Sequence, residues 1–484
     1  MRRDFAGAAL AGAVTVLGFA PFFVFPLPVL TLAALFHWCR RAEPSRAALF
    51  GFAWGMGCFL VGVSWVYVSM HDIGGMPLPI AAVATLLFCA VLALFPALAG
   101  YALARLRRDV AWRDALVAAA AWTLSEWLRG WIFTGFPWLS LGYAQTPPSP
   151  LAGFAPILGV HGVGLLAALL AAALAFAPRR RATAALFALT LTAGFALRQI
   201  AWTEPVGAPL SVSLLQGNIE QSLKWDPARL RLSLDTYAQL AAENPATLTV
   251  LPETALPLLL ENVPLQTLDA LTAHGAVLLG VPMRNRDGGY ANAGVALSGP
   301  LPAGTVQSYA KSHLVPFGEY VPTGFAWFLE LMHIPMSDFT PGPARQPALE
   351  LAGQKLAPDI CYEDAFGEEI RMALPQATLL VNLSNTAWFG DSLAQPQHLQ
   401  IARMRAMETG RTMLRATNTG MTAMVLPDGS VAAVLPPFSA GALRVQAQGY
   451  QGATPYVVLG NYVSVLAALA GLIAAVALKR RADR

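Results

Sequence analysis

Three residue types in the second half of this 484-residue chain have the makings of covalent chemistry: Glu253 in "LPETALP", Lys311 in "YAKSHLVPFGEYVP" and Cys361 in "ICYEDAFGEE". A thiol attacks as its thiolate, a carboxylate can take the proton, and an ammonium can offset the charge that forms. The surroundings of Cys361 first argue against reactivity. Glu363, Asp364, Glu368 and Glu369 follow it, and acids disfavour a thiolate. Activation must then come from elsewhere in the chain. Taken singly, a lone cysteine is more often packed than catalytic, and a lone Glu or Lys is more often a solvated surface group. Only the set carries weight.

These residues lie at the ends of expected strands. "TLTVLPETALP" reads as a strand ending at Glu253, "TVQSYAKSHLVPFGEYVP" as one ending near Lys311, and "QKLAPDICYEDAFGEEIRMAL" as strand, turn and helix around Cys361. In open α/β sheets, reactive side chains sit at the carboxyl ends of strands. Prolines flank Glu253 and fix its backbone. Cys361 falls where helix N-terminal amides would stabilise negative charge, and Glu368 and Glu369 fall in the first turn of that helix, where acids suit the dipole. The backbone N–H of Tyr362 is the natural oxyanion donor. Further strands ("LSVSLLQGN", "LTAHGAVLLGVPMRN", "YANAGVALSG", "ATLLVNLSNTAWFG"), helices ("WDPARLRLSLDTYAQLAAEN" with Asp226 as cap, and "QPQHLQIARMRAMETGRTMLRATN") and a hairpin at Asp428–Gly429 make this region an α/β sandwich.

The rest of the chain is of a different kind. The sequence is 56% hydrophobic and only 12% charged, against about 25% charged in an ordinary soluble domain. Apolar runs predict membrane spans near 5–20, 22–38, 47–69, 78–104, 114–133, 152–177, 183–200 and 456–478. The expected organisation is a helical bundle over 1–203, an extramembrane domain over 204–452, and a final span with a basic tail over 453–484. Arg and Lys collect at Arg2–Arg3, Arg40–Arg46, Arg105–Arg113, Arg179–Arg181 and Lys479–Arg484, whereas the alternate loops carry none. The positive-inside rule then puts both termini in the cytoplasm and the polar domain across the membrane. Within the spans, Glu126 and Arg129 stand three apart on one helical face, as a self-neutralising pair or a substrate contact. Trp122, Trp127, Trp131 and Trp138 suit an interfacial belt.

Cys361 is the single cysteine of the polar domain, since Cys39, Cys58 and Cys89 lie in or beside apolar runs, so that domain has no internal disulfide. His313 and His398 raise a Cys-His alternative, but their spacing favours structural roles. His274 and His333 have no partner pattern. Neither a metal-ligand cluster nor a Gly-rich phosphate loop is present, and no cofactor is expected. The net charge of +4 comes without an aromatic-basic stripe, so nucleic acid is not an expected partner.

Glu in "PETALP", Lys in "YAKSHLVPFGEYVP" and Cys in "ICYE", in that order, resemble the Glu-Lys-Cys triad of the nitrilase (carbon–nitrogen hydrolase) superfamily. Together with the helical amino-terminal half, "EWLRGW", "TGFPW", "QGNIEQSLKWD", "NLSNTAWFGDS", "QHLQIARMRAMETGR", "RATNTG" and the last span, the whole chain resembles the apolipoprotein N-acyltransferase family. The resemblance implies a polytopic α-helical membrane bundle of about eight spans joined to a nitrilase-like αββα sandwich, in a bacterial inner membrane with the sandwich in the periplasm. It implies transfer of an acyl chain from a phospholipid, typically phosphatidylethanolamine, to the α-amino group of a diacylglyceryl-cysteine in an apolipoprotein, through a cysteine thioester. Cys361 is then the nucleophile, Glu253 the general base and Lys311 the supporting cation. Glu319, Tyr362, Glu363, Trp225, Trp388 and Asn292 match supporting or substrate-binding positions of the family.

Neither half of such a reaction consumes water, so the site must exclude it. "GFAWFLELMHIPM", with Phe325, Trp327 and Phe328, is apolar but too short to span a bilayer, and is expected to be a lid that meets the membrane, or else a core helix. Two other readings remain open. A membrane-tethered amidase would use the same triad with water as acceptor, and a transporter or scaffold would carry a non-catalytic outer domain.

Overall fold

The structure is a computed structural model that describes all residues except 1, 177–179, 221–226, 286, 300–303, 322–337 and 478–484. Trp225, the Asp226 cap and the expected lid with Phe325, Trp327 and Phe328 lie outside the described residues. The chain divides into two compact units. One comprises Met1–Tyr67, Leu78–Ala201 and Thr454–Arg484; the other comprises Val68–Pro77 and Trp202–Ala453.

The first unit is helical, with helices Arg2–Thr15, Pro26–Cys39, Pro44–Gly62, Leu78–Leu106, Ala111–Arg129, Ala155–Phe176, Arg180–Leu197 and Tyr462–Ala477. Among the described residues, three segments are long and apolar enough to cross a membrane: Pro44–Gly62, Leu78–Leu106 and Pro150–Phe176. Small residues set the spacing between these helices. A Cβ on Gly57 would stand 1.9 Å from the Ala9 carbonyl oxygen, so only glycine permits this approach.

Glu126 and Arg129 have a role that helical spacing did not suggest. Arg129 donates to the carbonyls of Phe136 (2.7 Å) and Trp138 (2.5 Å) and to Ser140 Oγ (3.2 Å). Glu126 Oε1 accepts from Leu141 N at 2.9 Å. The pair satisfies backbone groups of a buried non-helical segment, which an apolar surrounding requires of any irregular chain. Trp122 and Trp138 are buried and are not part of a belt. Their rings meet Trp54 and Trp65 edge-on at 5.1 and 5.3 Å. Trp131 remains more than half exposed.

The second unit holds two six-stranded sheets. The first has strands β1 (Glu204–Gln216), β2 (Leu248–Val250), β3 (Ala276–Arg284), β4 (Tyr290–Ser298), β5 (Thr305–Ala310) and, at its other edge, β12 (Gly441–Gln451), in the order β12-β1-β2-β3-β4-β5. The second has β6 (Leu349–Leu351), β7 (Gln354–Ile360), β8 (Leu379–Ser384), β9 (Thr412–Thr417), β10 (Ala423–Val425) and β11 (Val431–Val434), in the order β11-β10-β9-β8-β7-β6. Each sheet has a parallel trio, β1-β2-β3 or β7-β8-β9, flanked by antiparallel strands.

Period-two alternation builds the core. Val212, Leu214, Leu248, Val250 and Leu278 of the first sheet pack with Leu356, Leu379, Val381, Leu383 and Leu414 of the second. Each is fully buried and stabilises the fold by about 1.5–3 kcal/mol relative to exposure. The first sheet's outer face is apolar and carries helices Pro227–Glu243 and Leu265–Thr272, packing Leu234, Tyr237, Leu268 and Leu271 against Leu279 and Val281.

Behind the second sheet the chemistry inverts. Asp359, Asn382 and Arg415 are directly paired across β7, β8 and β9, and all three are buried. Helix Ala394–Thr409, although polar in composition, is buried at every residue except Pro396. The expected hairpin is present, with Ser430 N donating to Asp428 Oδ1 at 2.9 Å.

Candidate active site

Strand ends bring Glu253, Lys311 and Cys361 together. Glu253 follows β2, Lys311 follows β5 and Cys361 follows β7. All three are buried, with Lys311 only 1% exposed. Glu253 Oε1 accepts from Asn292 Nδ2 (2.7 Å) and Lys311 Nζ (3.3 Å), and its Oε2 accepts from the Asn385 backbone N–H (2.9 Å). Lys311 leans further toward Glu319, at 2.8 Å from Oε2 and 2.9 Å from Oε1. Asn292 on β4 also donates to Glu319 Oε1 (2.8 Å), bridging the two carboxylates. Val315 N fixes Glu319 Oε2 at 2.8 Å. One cation thus stands between two acids. Burial opposes charge on Lys311, but Glu253 and Glu319 hold its pKa well above the ordinary lysine range.

Cys361 has φ +55°, in the left-handed region that costs a non-glycine residue about 1–3 kcal/mol. The turn it opens is a short 3-10 helix, Cys361–Ala365, followed by a four-residue helix, Gly367–Ile370. This is less helix than the sequence suggested, so the elbow itself, rather than a long dipole, presents the thiol. Backbone bonds hold that elbow. The Cys361 carbonyl accepts from Asn382 Nδ2 and His398 Nε2, each at 3.2 Å. The thiol is pushed up to about 12, first by burial and then by Glu253; Lys311 and a hydrogen bond with Ser384 pull the other way. At neutral pH the sulfur carries its proton.

Glu363 supports the site instead of lining it. Its Oε1 accepts from Ser312 N (2.7 Å), Ser312 Oγ (2.9 Å) and His313 N (3.0 Å). Its Oε2 accepts from Ile360 N (2.7 Å) and the Tyr309 hydroxyl (3.0 Å). One carboxylate therefore ties the chain after Lys311 to the chain before Cys361. His313 stacks on Phe366 with centroids 3.7 Å apart, meets Tyr362 edge-on at 5.7 Å and pairs with Glu369 at 2.8 Å. Glu368 pairs with Arg371 at 2.7 Å. Both acids of the helix start are thus engaged in pairs of their own. Trp388 is half-buried in the 3-10 turn Thr386–Phe389, against which Ser69–Ile73 packs.

Several positioning residues had no motif to announce them. A Cβ on Gly280 would lie 2.3 Å from the Pro252 carbonyl and 2.6 Å from Glu253 Cα, so β3 can pass the Glu253 turn only with glycine there. Asn418 Nδ2 donates to Asn385 Oδ1 (3.1 Å) and to the Ile219 carbonyl (2.7 Å), supporting the backbone that binds Glu253. Among the described residues no cluster of His, Cys, Asp and Glu has the arrangement of a metal site.

A buried Glu-Lys-Cys set on strand ends of paired six-stranded sheets defines a carbon–nitrogen hydrolase domain, and residues 211–456 match the carbon-nitrogen hydrolase family. Residues 11–173 match the apolipoprotein N-acyltransferase N-terminal domain. An apolipoprotein N-acyltransferase of Nitrosomonas europaea is 50% identical, covering 96% of this chain and 94% of that protein. Those of Ralstonia nicotianae and Chromobacterium violaceum are each 49% identical, covering 98% and 97% of this chain and 93% of each protein. Among solved structures, an amidase from Nesterenkonia sp. matches with a TM-score of 0.37 at 22% identity, covering 50% of this chain and 92% of that one. The chain belongs to the apolipoprotein N-acyltransferase family, and it is an acyltransferase.

Proposed function

We propose that the protein transfers an acyl chain from phosphatidylethanolamine to the α-amino group of a diacylglyceryl-cysteine at an apolipoprotein's amino terminus. Cys361 attacks the donor ester as Glu253 takes its proton. The proton then goes to the leaving lysophospholipid oxygen, and a thioester remains on sulfur. In the second half-reaction Glu253 accepts a proton from the attacking amine, the new amide forms, and the thiol is restored. Lys311, held by Glu319 and Glu253, offsets the charge on sulfur and on the tetrahedral oxygen, with the Tyr362 N–H as oxyanion donor. Asn292 orients both carboxylates. Trp388, Trp225 and the segment with Phe325, Trp327 and Phe328 meet the lipid chains.

The observation that carries this reading is the convergence of Glu253, Lys311 and Cys361 in one buried cluster. A thioester survives only where water is kept from it. The same reading has eight spans over 1–203 and 453–484, both termini in the cytoplasm, and the domain 204–452 in the periplasm.

The test is to incubate the purified protein with acyl-labelled phosphatidylethanolamine and locate the label. Label on Cys361 that chases onto a diacylated lipopeptide is the expected result. A Cys361→Ala variant that still acylates the lipopeptide, or ammonia release from a small amide with no lipid-derived acyl-enzyme, overturns it.

A further inference from the structure

A second polar cluster reaches the backbone of the nucleophile, where Asn382 and His398 bind the Cys361 carbonyl. Arg415 of β9 is its centre. Arg415 Nη1 donates to Asp364 Oδ2 (3.0 Å) and Asn382 Oδ1 (2.7 Å), and Nη2 reaches Ser384 Oγ at 3.5 Å. Asp364 Oδ1 accepts from His398 Nε2 at 2.8 Å, and Asp359 Oδ1 from Asn382 Nδ2 at 2.5 Å. Ser384 is fully buried at the end of β8, one residue past the Leu383 that pairs with Ile360, so the register sets it beside Cys361; hydrogen bonding by its side chain lowers the Cys361 pKa. The catalytic chemistry described above uses none of these groups.

Arg415 is paired with Asp364 and turns its second terminal nitrogen toward Ser384 Oγ. Burial, and then the neighbouring Asp364, push Asp359 well above the usual carboxylate range. Burial and Arg415 lower His398. Glu253 and Glu319 outnumber Lys311, and both raise the Cys361 pKa. The thiolate that must form is stabilised by a further donor, and Ser384, beside Cys361 in the register of β7 and β8 and in reach of Arg415, is placed to be one.

We propose that Ser384 is a further catalytic residue, whose hydroxyl donates a hydrogen bond to the Cys361 sulfur while Arg415 polarises it. The proton stays on Ser384 throughout. The bond strengthens as sulfur loses its proton to Glu253, weakens once the S–acyl bond forms, and strengthens again when that bond breaks and thiolate departs. It thus favours both charge-developing steps over the resting thiol and the thioester, which is how a hydrogen bond accelerates a reaction. Asn382 and His398, which hold the Cys361 carbonyl, keep sulfur aimed at this hydroxyl.

This inference rests on Cys361 being the nucleophile, and the experiment separates the two. Ser384→Ala removes one oxygen and leaves Arg415 its bonds to Asp364 and Asn382, so the fold is kept. Alkylation of the Cys361 peptide by iodoacetamide is followed by mass spectrometry between pH 7 and 9, beside acyl-enzyme formation from labelled phospholipid. The expected result for Ser384→Ala is a pH–rate line displaced toward higher pH by about one unit, a tenfold slower alkylation at each pH, with acyl-enzyme formation slowed in parallel. Ser384→Thr, which keeps a hydroxyl, restores both. Wild-type alkylation in Ser384→Ala, or equal loss in Ser384→Ala and Ser384→Thr, overturns the role of Ser384. Full transferase activity in Cys361→Ala instead overturns the nucleophile assignment.

Discussion

Lys311 and Glu319 form the tighter of the two ion pairs around the buried ammonium, at 2.8 Å against 3.3 Å for Lys311 and Glu253. The carboxylate eight residues along the chain is therefore the lysine's nearer partner. Glu253 keeps the longer contact, and it is the acid that the proposed chemistry uses to take a proton.

Removing the charge of Glu319 tests this division. Glu319→Gln leaves Lys311 to pair with Glu253 alone and draws the ammonium onto the carboxylate that must take the proton. Breaking one side of a buried ion pair costs about 3–5 kcal/mol. Acyl-enzyme formation is expected to fall by about a hundredfold or more, measured as the rate of label appearing on Cys361. Melting should be lowered as well, whereas Glu253→Gln should abolish acylation with a smaller effect on melting.

The protonation state of Cys361 sets the pH dependence. A thiol pushed up to about 12 is almost wholly protonated at pH 7, so its thiolate fraction grows tenfold for each pH unit. The alkylation rate of Cys361 should rise with unit slope from pH 7 to pH 9 and show no plateau. A plateau below pH 8 would mean a preformed thiolate, and would remove the need for Glu253 as base in the first step.

Gly280 tests whether the position of Glu253 is set by the neighbouring strand. Gly280→Ala places a methyl 2.3 Å from the Pro252 carbonyl, so one backbone must move. The expected cost is about 1–3 kcal/mol in thermal unfolding. Acyl-enzyme formation should be lost out of proportion to that cost, because Glu253 moves with the turn.

Glu363 should behave as a structural residue. Glu363→Gln puts an amide donor where Ser312, His313, Ile360 and Tyr309 all donate. At least one buried donor is then unpaired, at about 1–3 kcal/mol. A lower melting temperature should accompany any loss of activity, and a variant with normal melting and no activity would assign Glu363 to the chemistry instead.

The triad was legible because its residue types are unusual at strand ends, and the strand ends could be read from alternation. Glu319 and Asn292 could be placed only through family resemblance, since nothing local says that an asparagine on β4 will bridge two acids. The cluster around Arg415 was hidden for a different reason. Asp359, Asn382 and Arg415 become neighbours only when β7, β8 and β9 fall into register. Helix Ala394–Thr409 defeats a reading by amphipathic period because it is buried among polar partners. Glu126 and Arg129 suggested a mutual pair by spacing, yet each also serves backbone groups that lie later in the chain.

The ten residues Val68–Pro77 belong to the same compact unit as Trp202–Ala453, although four helices of the other unit separate them in sequence. The unit that carries the site is therefore not one continuous length of polypeptide. During synthesis this strap is made first, and the strands that carry Glu253, Lys311 and Cys361 come after it. A gene fragment cut at 202 and 453 encodes an incomplete body, missing the piece that rests against the turn of Trp388.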